Sequence, residues 1–161
     1  MSRLKVRPRG PTGKIFDITP ESAGWRYVGL GPYRIKAGVT AAEFTDDKEV
    51  ILVLVEGRVD ITADGQNFGP LGERMNVFDG GAPVSVYVPN GTDWSATATT
   101  DCTLAVCTAP GAGGHAAQVL PSPDKVTRGK GANTRYIYPI AMEDSDVADS
   151  LLVTEVFTPA G

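Results

Sequence analysis

The stretch 49–65 limits the fold more than any other part of the chain. Val50-Ile51-Leu52-Val53-Leu54-Val55 is an unbroken apolar run between Glu49 and Glu56-Gly57. It is too short for an isolated helix and rich in β-branched residues, so it predicts a strand buried on both faces. After Gly57 the pattern becomes strict alternation. Val59, Ile61 and Ala63 face one way and Arg58, Asp60 and Thr62 the other, as in a half-exposed strand. Asp64-Gly65 then offers residues that tolerate the positive φ of a tight hairpin turn. This order of strands and turns points to a meander or Greek key and away from a parallel sheet.

Similar signals recur along the chain. Ile15-Phe16-Asp17-Ile18, Trp25-Arg26-Tyr27-Val28, Tyr33-Arg34-Ile35-Lys36 and Met75-Asn76-Val77-Phe78 read as short strands. Val84, Val86 and Val88 alternate with Ser85 and Tyr87, and Trp94, Ala96 and Ala98 with Ser95 and Thr97; a further strand spans 103–108. Tyr136-Ile137-Tyr138-Pro139-Ile140 resembles an edge strand blunted by Pro139, and 151–157 reads as the last strand. With 19 Gly and 12 Pro to supply turns, and hardly any helical period, the chain is predicted to be all-β, a sandwich or small barrel.

Charge and cysteine use narrow the partners. A net charge of −4 argues against nucleic acid as the main partner. The exception is the segment 1–14, a basic N-terminal arm with Arg3, Lys5, Arg7, Arg9 and Lys14, which reads as a solvated arm able to dock on a neighbouring subunit. No apolar run approaches the roughly 18 residues that span a bilayer, and the N-terminus lacks a secretory apolar region, so no membrane is expected and the cytoplasm is the expected location. Cys102 and Cys107 read as a buried thiol pair on opposite faces of one strand.

The residue types that carry chemistry are sparse. The sole histidine, His115, sits in the glycine-rich connector Gly111-Ala112-Gly113-Gly114, where it would be poorly held, and no Ser-His-Asp set assembles around it. His115, Cys102 and Cys107 do not make a zinc or iron site, so neither catalytic nor metal residues are assigned. Glu43, Asp46, Asp47 and Glu49 read as an exposed acidic loop. Glu143, Asp144, Asp146 and Asp149 lack the glycine a calcium loop requires at its sixth place. Arg128, Lys130, Asn133 and Arg135 would suit a sugar carboxylate through charge-assisted hydrogen bonds. A solvated basic loop or a subunit contact is the simpler alternative.

Two motifs then resemble cupins. Pro83-Val84-Ser85-Val86-Tyr87-Val88-Pro89-Asn90-Gly91-Thr92-Asp93-Trp94 is similar to the second cupin motif, with Trp94 where a metal-binding histidine stands. The strand beginning at Glu49 resembles the first motif, with Ala42, Glu43, Phe44 and Thr45 in place of its paired histidines, which leaves Glu49 a structural role. The resemblance implies a cupin-like jelly-roll barrel over 15–110. A rival reading, a non-catalytic binding module, would have Trp94 and Tyr87 at the barrel mouth stacking on a sugar or other small ligand.

A wider set is more specific. Trp25-Arg26-Tyr27-Val28-Gly29, Arg74-Met75-Asn76-Val77-Phe78, Leu104-Ala105-Val106-Cys107-Thr108-Ala109-Pro110, Arg128-Gly129-Lys130-Gly131-Ala132-Asn133-Thr134-Arg135 and Asp149-Ser150-Leu151-Leu152-Val153 together resemble the 5-deoxy-glucuronate isomerase family of myo-inositol catabolism. That family is related to isomerases of 4-deoxy-5-keto-uronates. The resemblance covers the N-terminal half of a two-cupin architecture. It implies aldose–ketose isomerisation of a sugar acid with a divalent metal held by the second barrel, and none of those metal ligands maps onto this chain. Residues 111–161 are then expected to be a linker and crossover toward that barrel, and the 161 residues alone are expected to be inactive. The alternative is a non-catalytic module that binds a sugar acid or serves as an assembly scaffold. A metal-independent isomerase ranks last because no suitable base is evident. Apolar surface where a second barrel would dock favours homo-oligomers.

Overall fold

The structure, a computed structural model, describes residues 5–159; Arg3 of the expected arm and the terminal Ala160-Gly161 lie outside them. In chain order its strands are β1 (Gly13–Lys14), β2 (Gly29–Leu30), β3 (Tyr33–Ile35), β4 (Thr40–Phe44), β5 (Lys48–Glu56), β6 (Val59–Ala63), β7 (Gln66–Leu71), β8 (Val84–Val88), β9 (Asp93–Ala98), β10 (Cys102–Pro110), β11 (Gln118–Val119), β12 (Val126–Arg128), β13 (Arg135–Ala141) and β14 (Val153–Phe157). A short helix, α1 (Pro20–Ala23), lies between β1 and β2. Among the described residues no helix is long and apolar enough to cross a membrane.

One sheet runs β1-β3-β10-β5-β8-β11, with β2 also on β10, and a second runs β4-β9-β6-β7. Their ladders are antiparallel. The sheets close on one core. Val50, Leu52 and Leu54 of β5, Val86 and Val88 of β8, and Leu104 and Val106 of β10 meet Ile61 of β6 and Trp94, Ala96 and Ala98 of β9. This is the all-β architecture that the alternating strands predicted, in the cupin-like jelly-roll form that the resemblance implied.

Strand β5 lies between β10 and β8, and its continuous apolar run is buried on both faces as expected. Its outer face, Ile51 and Val53, packs with Tyr87 under Leu120, Ile140, Ala141 and Leu151 of the C-terminal segment. At roughly 1.5–3 kcal/mol for each buried aliphatic side chain, the strand contributes a gross burial energy as large as the whole net stability of a typical domain. No other run in the sequence compares with it.

The chain leaves the first sheet for the second at Gly57. Its φ is +93°, and a Cβ there would lie 2.5 Å from both the Asp101 carbonyl oxygen and the Cys102 Cβ, so only glycine fits. At the β6–β7 hairpin Asp64 and Gly65 have φ of 49° and 69°, the paired left-handed conformations expected of that turn.

Four expected strands differ. Ile15-Phe16-Asp17-Ile18 is not a ladder strand; pairing falls on β1 and on an isolated Ile18–Leu30 bridge. Trp25, Tyr27 and Val28 are exposed, and pairing begins only at Gly29. The 75–78 segment is a turn, because the Asp79 carboxylate accepts from the Met75 and Asn76 N–H groups and so replaces a ladder. Its anchor is the buried Arg74, which donates to the Val55 carbonyl at 2.8 Å and grips Glu155 with two hydrogen bonds of 2.9 and 2.7 Å. Finally, β13 is the middle strand of a third sheet, β12-β13-β14, and not an edge. Pro139 is tolerated there because the register shifts between it and Ala141.

Candidate functional site

At the barrel mouth a cleft of about 440 Å³ is lined by Lys14, Asp17, Glu43, Thr45, Lys48 and Trp94, among others. Sheet register brings its polar groups together. Lys14 lies opposite Tyr33 in the β1–β3 ladder, and Glu43 opposite Trp94 in the β4–β9 ladder. Glu43 Oε1 accepts from the Tyr33 hydroxyl at 2.5 Å and from Lys14 Nζ at 2.6 Å. Lys14 also pairs with Asp17 at 3.2 Å. Burial alone would lower the Lys14 pKa, but the Glu43 and Asp17 carboxylates outweigh it and hold the ammonium above its ordinary range. Burial and the adjacent Glu43 both push the Tyr33 hydroxyl up. The Tyr33 ring meets the Trp94 ring edge to face, with centroids 6.2 Å apart. Trp94 is 2% exposed, and its indole N–H has no acceptor among the described residues.

Sequence reasoning missed this constellation. It left Glu43 in an acidic loop and Lys14 in a solvated arm, whereas the first is on β4 and the second on β1. The signal that could have found Glu43 is the alternation of Ala41, Glu43 and Thr45 in a segment running up to the central strand. Lys14 and Tyr33 carry no local motif.

A second carboxylate, Glu49 of β5, lies on the outer face of the first sheet and is fully buried. Its Oε1 accepts from the Ser150 N–H at 2.7 Å, the Leu151 N–H at 2.6 Å and the Ser150 hydroxyl at 3.1 Å; its Oε2 accepts from the Asp149 N–H at 2.7 Å and the Tyr87 hydroxyl at 3.0 Å. Asp149 answers from the other side, accepting from the Ala112, Gly113 and Gly114 N–H groups at 2.6, 2.9 and 3.1 Å. Burial would raise its pKa, but these three donors and the nearby His115 leave it below the ordinary aspartate value. The structural role expected of Glu49 is thus a clasp that fastens residues 149–151 to the barrel.

Two expectations change here. His115 is held, not loose: its side chain is 19% exposed, it meets the Tyr87 ring edge to face at 5.7 Å, and it lies 3.8 Å from Asp146 and Asp149. Tyr87 is not at the mouth with Trp94, because alternation along β8 turns it to the outer face while Val86 and Val88 face the core.

Arg128 and Arg135 sit directly opposite each other in the β12–β13 ladder, with Lys130 and Asn133 in the connecting turn. Arg128, Lys130 and Asn133 are exposed and Arg135 is half-buried, donating to the Thr134 carbonyl at 2.7 Å. None of the four lines the barrel-mouth cleft.

A divalent metal, which the cupin resemblance implies for the family, does not fit this barrel's donor set. Trp94 stands where the motif resemblance would put a histidine, and Glu43 Oε1 already binds an ammonium and a phenol. Among the described residues no three His, Cys, Asp or Glu side chains are grouped to hold an ion.

With that geometry in hand, the relatives are informative. The KduI/IolB family description matches residues 4–161. The chain is 43% identical to a 5-deoxy-glucuronate isomerase of Geobacillus thermodenitrificans, with 100% of this chain and 60% of the relative covered. It is 34% identical to the same-named protein of Halalkalibacterium halodurans, over 100% and 62%. A crystal structure of an IolB-like protein from Salmonella typhimurium superposes with a TM-score of 0.91 at 40% identity, covering 97% of this chain and 60% of that one. An oxalate decarboxylase of Bacillus subtilis, at 17% identity and a TM-score of 0.52 over 69% of this chain and 29% of that one, shares the fold alone. The chain therefore spans about 60% of the length of the curated relatives it matches, and it belongs to the KduI/IolB family.

Proposed function

We propose that this chain is the metal-free barrel of an aldose–ketose isomerase that converts 5-deoxy-glucuronate to 2-deoxy-5-keto-gluconate in myo-inositol catabolism in the cytoplasm. The observation that carries the reading is 43% identity along the whole chain to a protein of that name. The donor set of the barrel supports the second half of the reading, that this segment does not carry out the isomerisation by itself. A proton moved between C1 and C2 of an aldose needs a base and a group that polarises the carbonyl. Here Glu43 is bonded to Lys14 and Tyr33, and Glu49 is saturated within the fold.

The same proposal keeps Arg128, Lys130, Asn133 and Arg135 as the contact for the substrate's carboxylate. Two arginines directly opposite in an antiparallel ladder repel, and an anion between them would relieve the repulsion.

The test is turnover of 5-deoxy-glucuronate by the 161-residue chain, with and without added divalent metal. No turnover is expected, and metal-dependent turnover would overturn the proposal. In a two-barrel relative, replacing the residues aligned with Arg128 and Arg135 by alanine should raise KM and leave kcat nearly unchanged.

A further inference from the structure

We infer that the outer face of the three-stranded sheet β12-β13-β14 is a self-association surface, covered by the same sheet of a second copy with its strands antiparallel, whether or not the chain takes part in isomerisation. Register defines the surface. Directly opposite residues of an antiparallel ladder share a face, and Val126, Ile137 and Val156 stand in one row across the three strands. Their neighbours along the strands point the other way. Tyr138 is buried with its ring edge against Phe157, and Glu155 binds the buried Arg74. The apolar row is therefore turned away from the barrel. Val156 is 51% exposed, and none of the three packs into either hydrophobic core. A sheet with one face packed and an apolar row on the other removes that row from water by association.

Charge selects the occupant and its orientation. Two residues along from the row, on the same face, Arg128 and Arg135 stand opposite each other, and Lys130 is exposed in the turn beyond. The other end of the sheet is acidic, because the connection from β13 to β14 carries Glu143, Asp144 and Asp146, all exposed. A face basic at one end and acidic at the other is complementary to itself. When two such sheets stack with their strands antiparallel, each basic end lies over the acidic end of the other copy, and the copy's carboxylates relieve the repulsion between Arg128 and Arg135. With the strands parallel, like charges meet at both ends. A twofold axis generates the antiparallel arrangement, and a twofold contact closes at two copies. Three short strands offer a small face, so the dimer is weak, with a Kd of about 10–100 µM.

Sedimentation equilibrium of the purified chain from about 5 µM to about 1 mM tests this. The weight-average mass is expected to rise with concentration from one chain toward two. Val156→Lys, at a half-exposed position outside both cores, should weaken the dimer at least about tenfold. Two double variants read the orientation. Arg128→Glu with Arg135→Glu, and Glu143→Lys with Asp144→Lys, each place like charges at both ends of the dimer, so each is expected to stay monomeric alone. An equal mixture of the two is expected to dimerise, since opposite charges meet again at both ends. That rescue separates a broken contact from a misfolded variant, because an unfolded partner restores nothing. A chain that stays monomeric at the highest concentration would overturn the inference and leave the face to another occupant, such as the part of the longer relatives that this chain does not match. Association beyond two copies, a dimer insensitive to Val156→Lys, double variants that dimerise alone, or a mixture that stays monomeric would overturn it as well.

Discussion

The molecule contains two glutamate–tyrosine pairs that are used differently: both tyrosines are on the first sheet, but Glu49 lies on that sheet's outer face whereas Glu43 comes from β4 of the second. Glu49 with Tyr87 lies on the outer face, fully buried, with both carboxylate oxygens saturated by backbone and side-chain donors. Glu43 with Tyr33 lies at the mouth, partly exposed, with one oxygen engaged and the other open. A carboxylate whose every lone pair is filled by the fold serves the fold. One that is partly exposed at a cleft and held by a lysine and a tyrosine ties the fold together less. The contrast also explains why the outer pair needs no counter-cation: three N–H groups from consecutive residues 149–151 supply the partial positive charge.

Stability should separate the pairs sharply. Glu49→Ala would strand three backbone donors and the Tyr87 hydroxyl, and is expected to cost roughly 3–5 kcal/mol in urea unfolding. Glu43→Ala, at a partly exposed pair whose Lys14 keeps Asp17, should cost less, about 1–2 kcal/mol. Equal costs would break the distinction. The tyrosines should follow in smaller steps: Tyr87→Phe loses one of several bonds to a buried carboxylate, about 1 kcal/mol, and Tyr33→Phe less, because Lys14 still holds Glu43.

How much of this was legible in the sequence differs between the pairs. The two-faced burial of β5 and the hairpin at Asp64-Gly65 follow from local pattern, and the structure keeps them; the alternation that turns Tyr87 away from Val86 was equally legible, yet Tyr87 was expected at the mouth. The partners of Glu49 lie a hundred residues away, at Asp149 to Leu151, and no spacing rule reaches that far. Glu43 was hidden for another reason. Four acids in seven positions read as one solvated loop, although strand alternation assigns Glu43 and Glu49 to opposite faces of different sheets. The 75–78 segment misled because apolar residues there follow an anchoring arginine whose partners, Val55 and Glu155, are remote in sequence.

The acid limb of stability sharpens the same distinction. Asp149 titrates below its ordinary value, so its contribution is complete above the unfolded-state value near 3.9, approximated from model peptides, and is lost as pH falls through the lower folded value. Asp149→Asn should lower stability at neutral pH and flatten its decline in that acidic window, so that variant and wild type converge toward low pH. A steeper decline in the variant would contradict the clasp. The smallest effect concerns the thiols, one toward each face: burial, with the Asp101 charge adding at Cys102, pushes Cys102 up to about 11, and burial pushes Cys107 up to about 11. Both should resist a thiol reagent at pH 8 in the folded protein and react on unfolding.

Equilibrium dialysis of the purified chain against manganese and zinc, read by elemental mass spectrometry, bears most directly on the proposal that this barrel holds no metal. Sub-stoichiometric binding, unchanged by Glu43→Gln, is the predicted result. One ion retained per chain and released by Glu43→Gln would contradict it.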